Sequence, residues 1–271
     1  MRRPRWWSEI TLGLAVFAVY LLVDGWQSTG RMVAVAHGRM LLAIEAALHT
    51  DVEHALNAWL AQRGVLRVLA NYEYATTYVV SAVALLIWVY WRHPEHYRRV
   101  RNSFVVVNLV AMACFAVYSV TPPRMLPGAG FVDTVSLGHT WGSWGSPLVE
   151  NANQVAAMPS LHVAWALWVS VVLARISGKW FVQVISAVHV LVTLLVIMAT
   201  GNHYWLDAAG AAVLVWMAVA VTGVSDRRRV PASDTFFLHV ESPAAPQHVG
   251  GLVLLDTAQA AEVPSRAKVE A

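Results

Sequence analysis

The chain has 271 residues, of which 58% are hydrophobic and 13% charged, with a formal net charge of +3. That balance excludes an ordinary soluble domain and points to an all-α, polytopic membrane protein. The surplus charge sits in short clusters beside apolar runs, so it is no argument for nucleic acid, and the single cysteine, Cys114, excludes an internal disulfide or a multi-cysteine zinc site.

Arg2, Arg3 and Arg5 precede a first apolar run at about 9–27. Ala34-Val35-Ala36 resembles a signal cleavage site but lies too far beyond that run, so the first span is expected to be retained. Residues 28–72 are too polar to cross a bilayer. There Leu41, Leu42, Ile44 and Leu48, then Val52, Leu56, Trp59 and Leu60, recur at helical spacing, with Glu45, Asp51, Glu53 and Arg63 between them. This reads as two amphipathic helices at the outer interface, either packing on the bundle or gathering lipid.

Five further apolar runs follow, at about 73–91, 102–120, 160–176, 180–200 and 205–224. A span needs about 20 apolar residues, and continuous rather than alternating runs predict helices, not a barrel. The basic groups Arg2–Arg5, Arg92–Arg101, Arg175–Lys179 and Arg227–Arg229 fall on alternate connections. The positive-inside rule therefore predicts cytoplasmic termini in a six-span plasma-membrane protein. Trp7, Trp26, Trp91, Trp180 and Trp205 stand at or near span ends, as an interfacial belt would.

The 121–157 segment carries several Gly and Pro together with Asp133, His139, Trp141, Trp144 and Glu150. It is expected to be an extracytoplasmic, substrate-selecting lid. The division is then 1–27 as arm and first span, 28–72 as connector, 73–224 as catalytic core and 225–271 as a disordered cytoplasmic tail. No internal repeat of the kind that marks inverted-repeat transporters is visible.

Three polar segments share the outer face: Thr121-Pro122-Pro123-Arg124, Met158-Pro159-Ser160-Leu161-His162 and Gly201-Asn202-His203-Tyr204-Trp205-Leu206-Asp207. Ser160 is a natural N-cap, and a helix start presents free amides to a phosphate. The bland reading is a cap beside a headgroup-level histidine. His203 and Asp207 are four apart and would share one helix face, the carboxylate holding one ring nitrogen as N–H and leaving the other to attack. Packing or metal ligation are the alternatives for that pair. Arg124 offers a fork suited to phosphate, or else snorkels at the interface.

Taken together, these segments resemble the type-2 phosphatidic acid phosphatase superfamily, which includes phosphotransferases such as inositol phosphorylceramide synthase. Pro159-Ser160-Leu161-His162 is similar to the family's second signature, with Leu161 in place of a glycine, and His203 to Asp207 is similar to the end of its third. The wording Met-Pro-Ser-Leu-His and Gly-Asn-His-Tyr looks most like the bacterial branch grouped with that synthase. The resemblance covers about residues 70–222. It implies a metal-independent membrane enzyme without cofactor. His203 would be the nucleophile, Asp207 its orienter, His162 the acid and then base, and Arg124 and Ser160 the phosphate binders. Two family cations are missing, their places taken by Val117 and Ile197. Asn202 or tyrosines near Tyr74 are the expected substitutes. The partners implied are a lipid phosphoester and a polyol or lipid-alcohol acceptor. Transfer to water, as in a lipid or polyprenyl-diphosphate phosphatase, is one alternative. A non-catalytic lipid transporter is another, and transport retained by a His203→Ala protein would favour it.

Overall fold

The computed structural model describes residues 3–25, 30–138, 140 and 154–224. Within them the regular structure is helical, apart from an isolated bridge between Val120 and Ala156. The expectations for Trp26, His139, Trp141, Trp144, Glu150 and the 225–271 tail fall outside the described residues.

The helices are α1 (Trp6–Gly25), α2 (Arg31–Ala47), α3 (Val52–Ala61), α4 (Gly64–Tyr72), α5 (Tyr78–Arg92), α6 (Pro94–Val117), α7 (Thr134–Gly138), α8 (Leu161–Ile176), α9 (Trp180–Ala199) and α10 (Trp205–Val221). A single π-turn, Glu73–Thr77, joins α4 to α5. Each expected apolar run falls on one helix, except 73–91, which begins on the π-turn and continues through α5. The α6 helix starts well before its apolar run, because Pro94 opens it at a position where proline's missing N–H costs nothing. Trp6–Val23, Gly64–Arg92, Pro94–Val117 and Trp180–Ala199 are long and apolar enough to cross a membrane. The α8 and α10 helices are apolar but only 16 and 17 residues long, so helix length alone supports fewer than six full crossings.

The core lies where α5, α6, α8 and α10 meet. Val107, Ala111, Trp168, Val172 and Ala218 are fully buried there. The Trp168 indole N–H, which needs a partner in such a place, donates to Ser103 Oγ at 2.9 Å. Outward faces remain apolar, as at Val80, Val117, Ile185, Trp216 and Val221, which suits lipid and not water. At one end of the bundle Tyr90 donates to the carbonyl of Pro4, Arg101 pairs with Glu9 at 2.7 Å, and Arg99 donates to the carbonyl of Gly223. The basic segments around Arg3, Arg92–Arg101 and the end of α10 are thereby gathered together.

The 28–72 connector differs from its expected form. It holds three helices, and α2 and α3 meet at a bend of 105°. Its polarity is reversed only in part: Leu41 and Leu60 are buried and Asp51 and Arg63 exposed, as expected. Glu45, Glu53 and Asn57 point inward and are buried, whereas Met32, Met40, Ile44, Leu48, Val52 and Trp59 are exposed. A hydrocarbon surround explains the inversion, because apolar side chains then face the solvent and acids find partners only inside. The α2 helix rests on the exit of α6. Thr121 N donates to Ala34 O at 3.0 Å, His37 Nδ1 meets Ser119 O at 2.9 Å, and the His37 ring stacks on Tyr118. Gly38 permits this approach, since a Cβ there would lie 2.6 Å from Thr121 O and 2.9 Å from the Tyr204 hydroxyl. Asn57 of α3 clips two loops together. It donates to Ala199 O (2.9 Å) and Val132 O (3.0 Å) and accepts from Val132 N (2.8 Å).

Candidate active site

The three polar segments converge at the end of the bundle opposite the basic clusters. Ser160 caps α8 as expected, with Oγ accepting from Val163 N at 3.4 Å and its own N–H donating to Asp207 O at 3.2 Å. The second contact ties the start of α8 to the first turn of α10. His162 is the second residue of α8, so its ring stands over that junction.

His203 does not lie on a helix with Asp207, as its spacing predicts. It precedes α10, and Tyr204 occupies the N-cap. Asp207, in the first turn, reaches back instead. Its Oδ2 lies 3.1 Å from His203 Nδ1 and accepts from Tyr204 N at 3.0 Å. The same Nδ1 lies 2.9 Å from Ala157 O. A carbonyl oxygen only accepts, so in the neutral ring Nδ1 carries the hydrogen and Nε2 keeps its lone pair. Asp207 is fully buried and His203 is 4% exposed, so water does not compete for this pairing.

The rings of His203 and His162 meet edge to face, with centroids 5.4 Å apart. His162 is also held between Tyr74, stacked at 4.2 Å, and Tyr78 at 4.1 Å. Both tyrosines come from the π-turn and the residue after it. Such turns often mark functional sites, because one extra residue re-aims the side chains around it. The tyrosines near Tyr74 therefore act on the histidine as an aromatic clamp. Neither could have been placed there from helical periodicity.

Arg124 sits in a short 3₁₀ turn, Pro123–Met125, whose prolines fix its entry. Its N–H donates to Gly201 O at 2.9 Å. Gly201 takes φ +70°, a conformation suited to glycine. The Arg124 side chain is 3% exposed. Nε donates to Asn202 Oδ1 (2.7 Å), Nη1 to Asp133 Oδ2 (3.1 Å) and Nη2 to Gln154 Oε1 (3.3 Å). Burial lowers the guanidinium pKa from its ordinary value, and the Asp133 carboxylate pulls it back up. Asn202 Nδ2 in turn donates to Thr200 Oγ1 at 2.9 Å. Both ends of the Asn202 amide are thus used within the protein, which makes it a brace for Arg124. The two positions lacking family cations supply no substitute: Val117 is 78% exposed on the outward apolar face, and Ile197 is fully buried.

Among the described residues no three His, Cys, Asp or Glu side chains come together to hold a metal ion. The arrangement that does form is a desolvated imidazole with a fixed tautomer, a second imidazole beside it and a buried cation nearby. No curated protein and no solved structure matched the chain. The family model described as the PAP2 superfamily matches residues 39–221. That match covers more than half of the sequence and contains the three segments. With it, the chain belongs to the PAP2 superfamily.

Proposed function

We propose that the protein is a lipid phosphoesterase and phosphotransferase that works through a phosphohistidine on His203. The observation carrying this reading is the shared hold of Ala157 O and Asp207 on Nδ1, which commits Nε2 to attack. In the first step Nε2 bonds to phosphorus while the bond to the leaving oxygen breaks, and protonated His162 delivers its proton to that oxygen. In the second step neutral His162 takes the proton of the acceptor hydroxyl. The acceptor oxygen bonds to phosphorus and the N–P bond breaks. Arg124, braced by Asn202, and the start of α8 at Ser160 stabilise the charge on the phosphoryl oxygens. Membership of the bacterial branch similar to inositol phosphorylceramide synthase would make the acceptor a polyol or lipid alcohol. With water as acceptor the same intermediate gives a lipid or polyprenyl-diphosphate phosphatase.

Incubation of the purified protein with phospholipids, with and without inositol, followed by mass spectrometry, tests the reading. A new phosphodiester that appears only with the alcohol supports transfer, and phosphate release alone supports hydrolysis. Activity is expected to persist in EDTA and to fall with vanadate, which takes the five-coordinate geometry of the transition state. Loss in EDTA reversed by zinc would replace this mechanism with a metal-dependent one.

The alternating basic clusters support a site on the extracytoplasmic side of the plasma membrane, with both termini in the cytoplasm. A Ser136→Cys protein, whose substitution lies on the exposed part of α7, is expected to react with a membrane-impermeant maleimide in intact cells once Cys114 is replaced. Reaction only after lysis would reverse the topology.

A further inference from the structure

Glu45 of α2 and Glu53 of α3 are fully buried, and the chemistry above uses neither. A buried acid pair is costly, and apolar residues of like size are often as stable or more so. What these two hold is the start of α10. The first amides of a helix have no acceptor of their own, and Tyr204 at the N-cap gives no side-chain cap bond. Asp207 takes the N–H of Tyr204, and Glu45 Oε1 takes the N–H of Leu206 at 3.0 Å, from 161 residues away in sequence.

Glu53 lies against Glu45. Glu45 Oε2 and both oxygens of Glu53 are buried and have no hydrogen-bond partner among the described residues. Two adjacent buried carboxyls do not both ionise, and one shared proton would give these oxygens a partner. The titratable groups facing the pair are Asp207 and Tyr204, at the start of α10. The same hairpin makes a further contact with this segment. Trp205 Nε1 donates to Thr50 Oγ1 at 2.7 Å, and Thr50 Oγ1 donates to Glu45 O at 3.2 Å.

We propose that Glu45, with Glu53 as its one-proton partner, is a positioning residue for the reaction: it fixes the first turn of α10 and thereby aims Asp207 at His203. Leu206 immediately precedes Asp207. Without its acceptor the first turn frays, and Oδ2 no longer holds the Nδ1 hydrogen. The inference rests on the reading of His203 as nucleophile, and its test separates the two.

The test is the steady-state turnover of 4-nitrophenyl phosphate by the full-length protein carrying Glu45→Leu, Glu45→Gln, Glu53→Leu or Glu53→Gln, with folding followed by gel filtration in detergent. Glu45→Leu is expected to lower kcat about 10- to 100-fold, the worth of one hydrogen bond to a charged group. KM should change less than kcat, because the contacts of Arg124 are untouched. Glu45→Gln still accepts from Leu206 N and is expected to restore most of kcat. Glu53→Gln can still pair with Glu45 and should stay near wild type, while Glu53→Leu should not. A folded Glu45→Leu protein with unchanged kcat, a loss confined to KM, or no rescue by Glu45→Gln would overturn the proposal. Should Glu45→Leu fail to fold, the two Glu53 variants decide, and equal turnover by both overturns it. Turnover by His203→Ala would instead remove the nucleophile reading, whichever way the glutamate variants behave.

Discussion

His203→Ala is expected to abolish turnover of a lipid phosphoester and of a nitrophenyl phosphoester alike, by about 10⁴-fold or more, because no other group can form the covalent intermediate. His162→Ala should behave differently. A lipid alkoxide is a poor leaving group and needs a proton, so the loss there is about 10²–10⁴-fold. A nitrophenolate leaves without help, and the same variant should keep much of its activity on that substrate. Asp207→Asn should fold, because the amide oxygen still accepts from Tyr204 N in place of Oδ2. It removes the charge that supports the imidazolium, and a comparable orienting carboxylate elsewhere is worth about 10⁴-fold. The measurement is kcat for each purified variant on both substrates. The roles would be exchanged if His162→Ala lost both activities while His203→Ala lost only the lipid reaction.

Much of this site is legible in the sequence, for identifiable physical reasons. The segments ending in His162 and Asp207 stand out because polar and ionisable residues at the mouth of an apolar run are expensive. Ser160 could be placed because N-caps have a strong local preference. The spacing of His203 and Asp207 pointed to the right contact through the wrong local structure. The helix begins after His203, and the carboxylate reaches back to it, as acidic residues in a first turn commonly do. The aromatic clamp on His162 was not legible. It depends on a π-turn at Glu73–Thr77, and a one-residue change of helical register leaves no mark in hydropathy.

The connector shows a different limit. Its helical periodicity was readable, but the burial of Glu45 and Glu53 was not. The same alternation of acids and apolar residues fits a helix facing water or one facing lipid. Only the partners decide: Leu206 N holds Glu45 inside, while Ile44 and Leu48 turn out. For the same reason Asn202 read as a phosphate ligand. Its amide chemistry suits that role, and only the structure reveals that Thr200 and Arg124 already occupy both ends.

Arg124 carries the second large effect. Its buried side chain is held by Asn202, the residue before His203, and the two positions where the family keeps other cations hold Val117 and Ile197. Arg124→Ala is expected to lower kcat/KM about 10²–10³-fold, the scale of losing one preorganised donor to a developing oxyanion. Arg124→Lys should recover little of this, since an ammonium has no planar fork to meet Asn202, Asp133 and phosphate together. Asn202→Ala frees Nε and should cost less, about tenfold, the worth of one net hydrogen bond to a charged group. The informative comparison is the double variant. If Asn202 acts by bracing the guanidinium, its removal costs almost nothing once Arg124 is already alanine, and the two losses fail to add. Additive losses in kcat/KM would mean that Asn202 touches the phosphate on its own account, through a rotation that gives up its bond to Arg124 Nε.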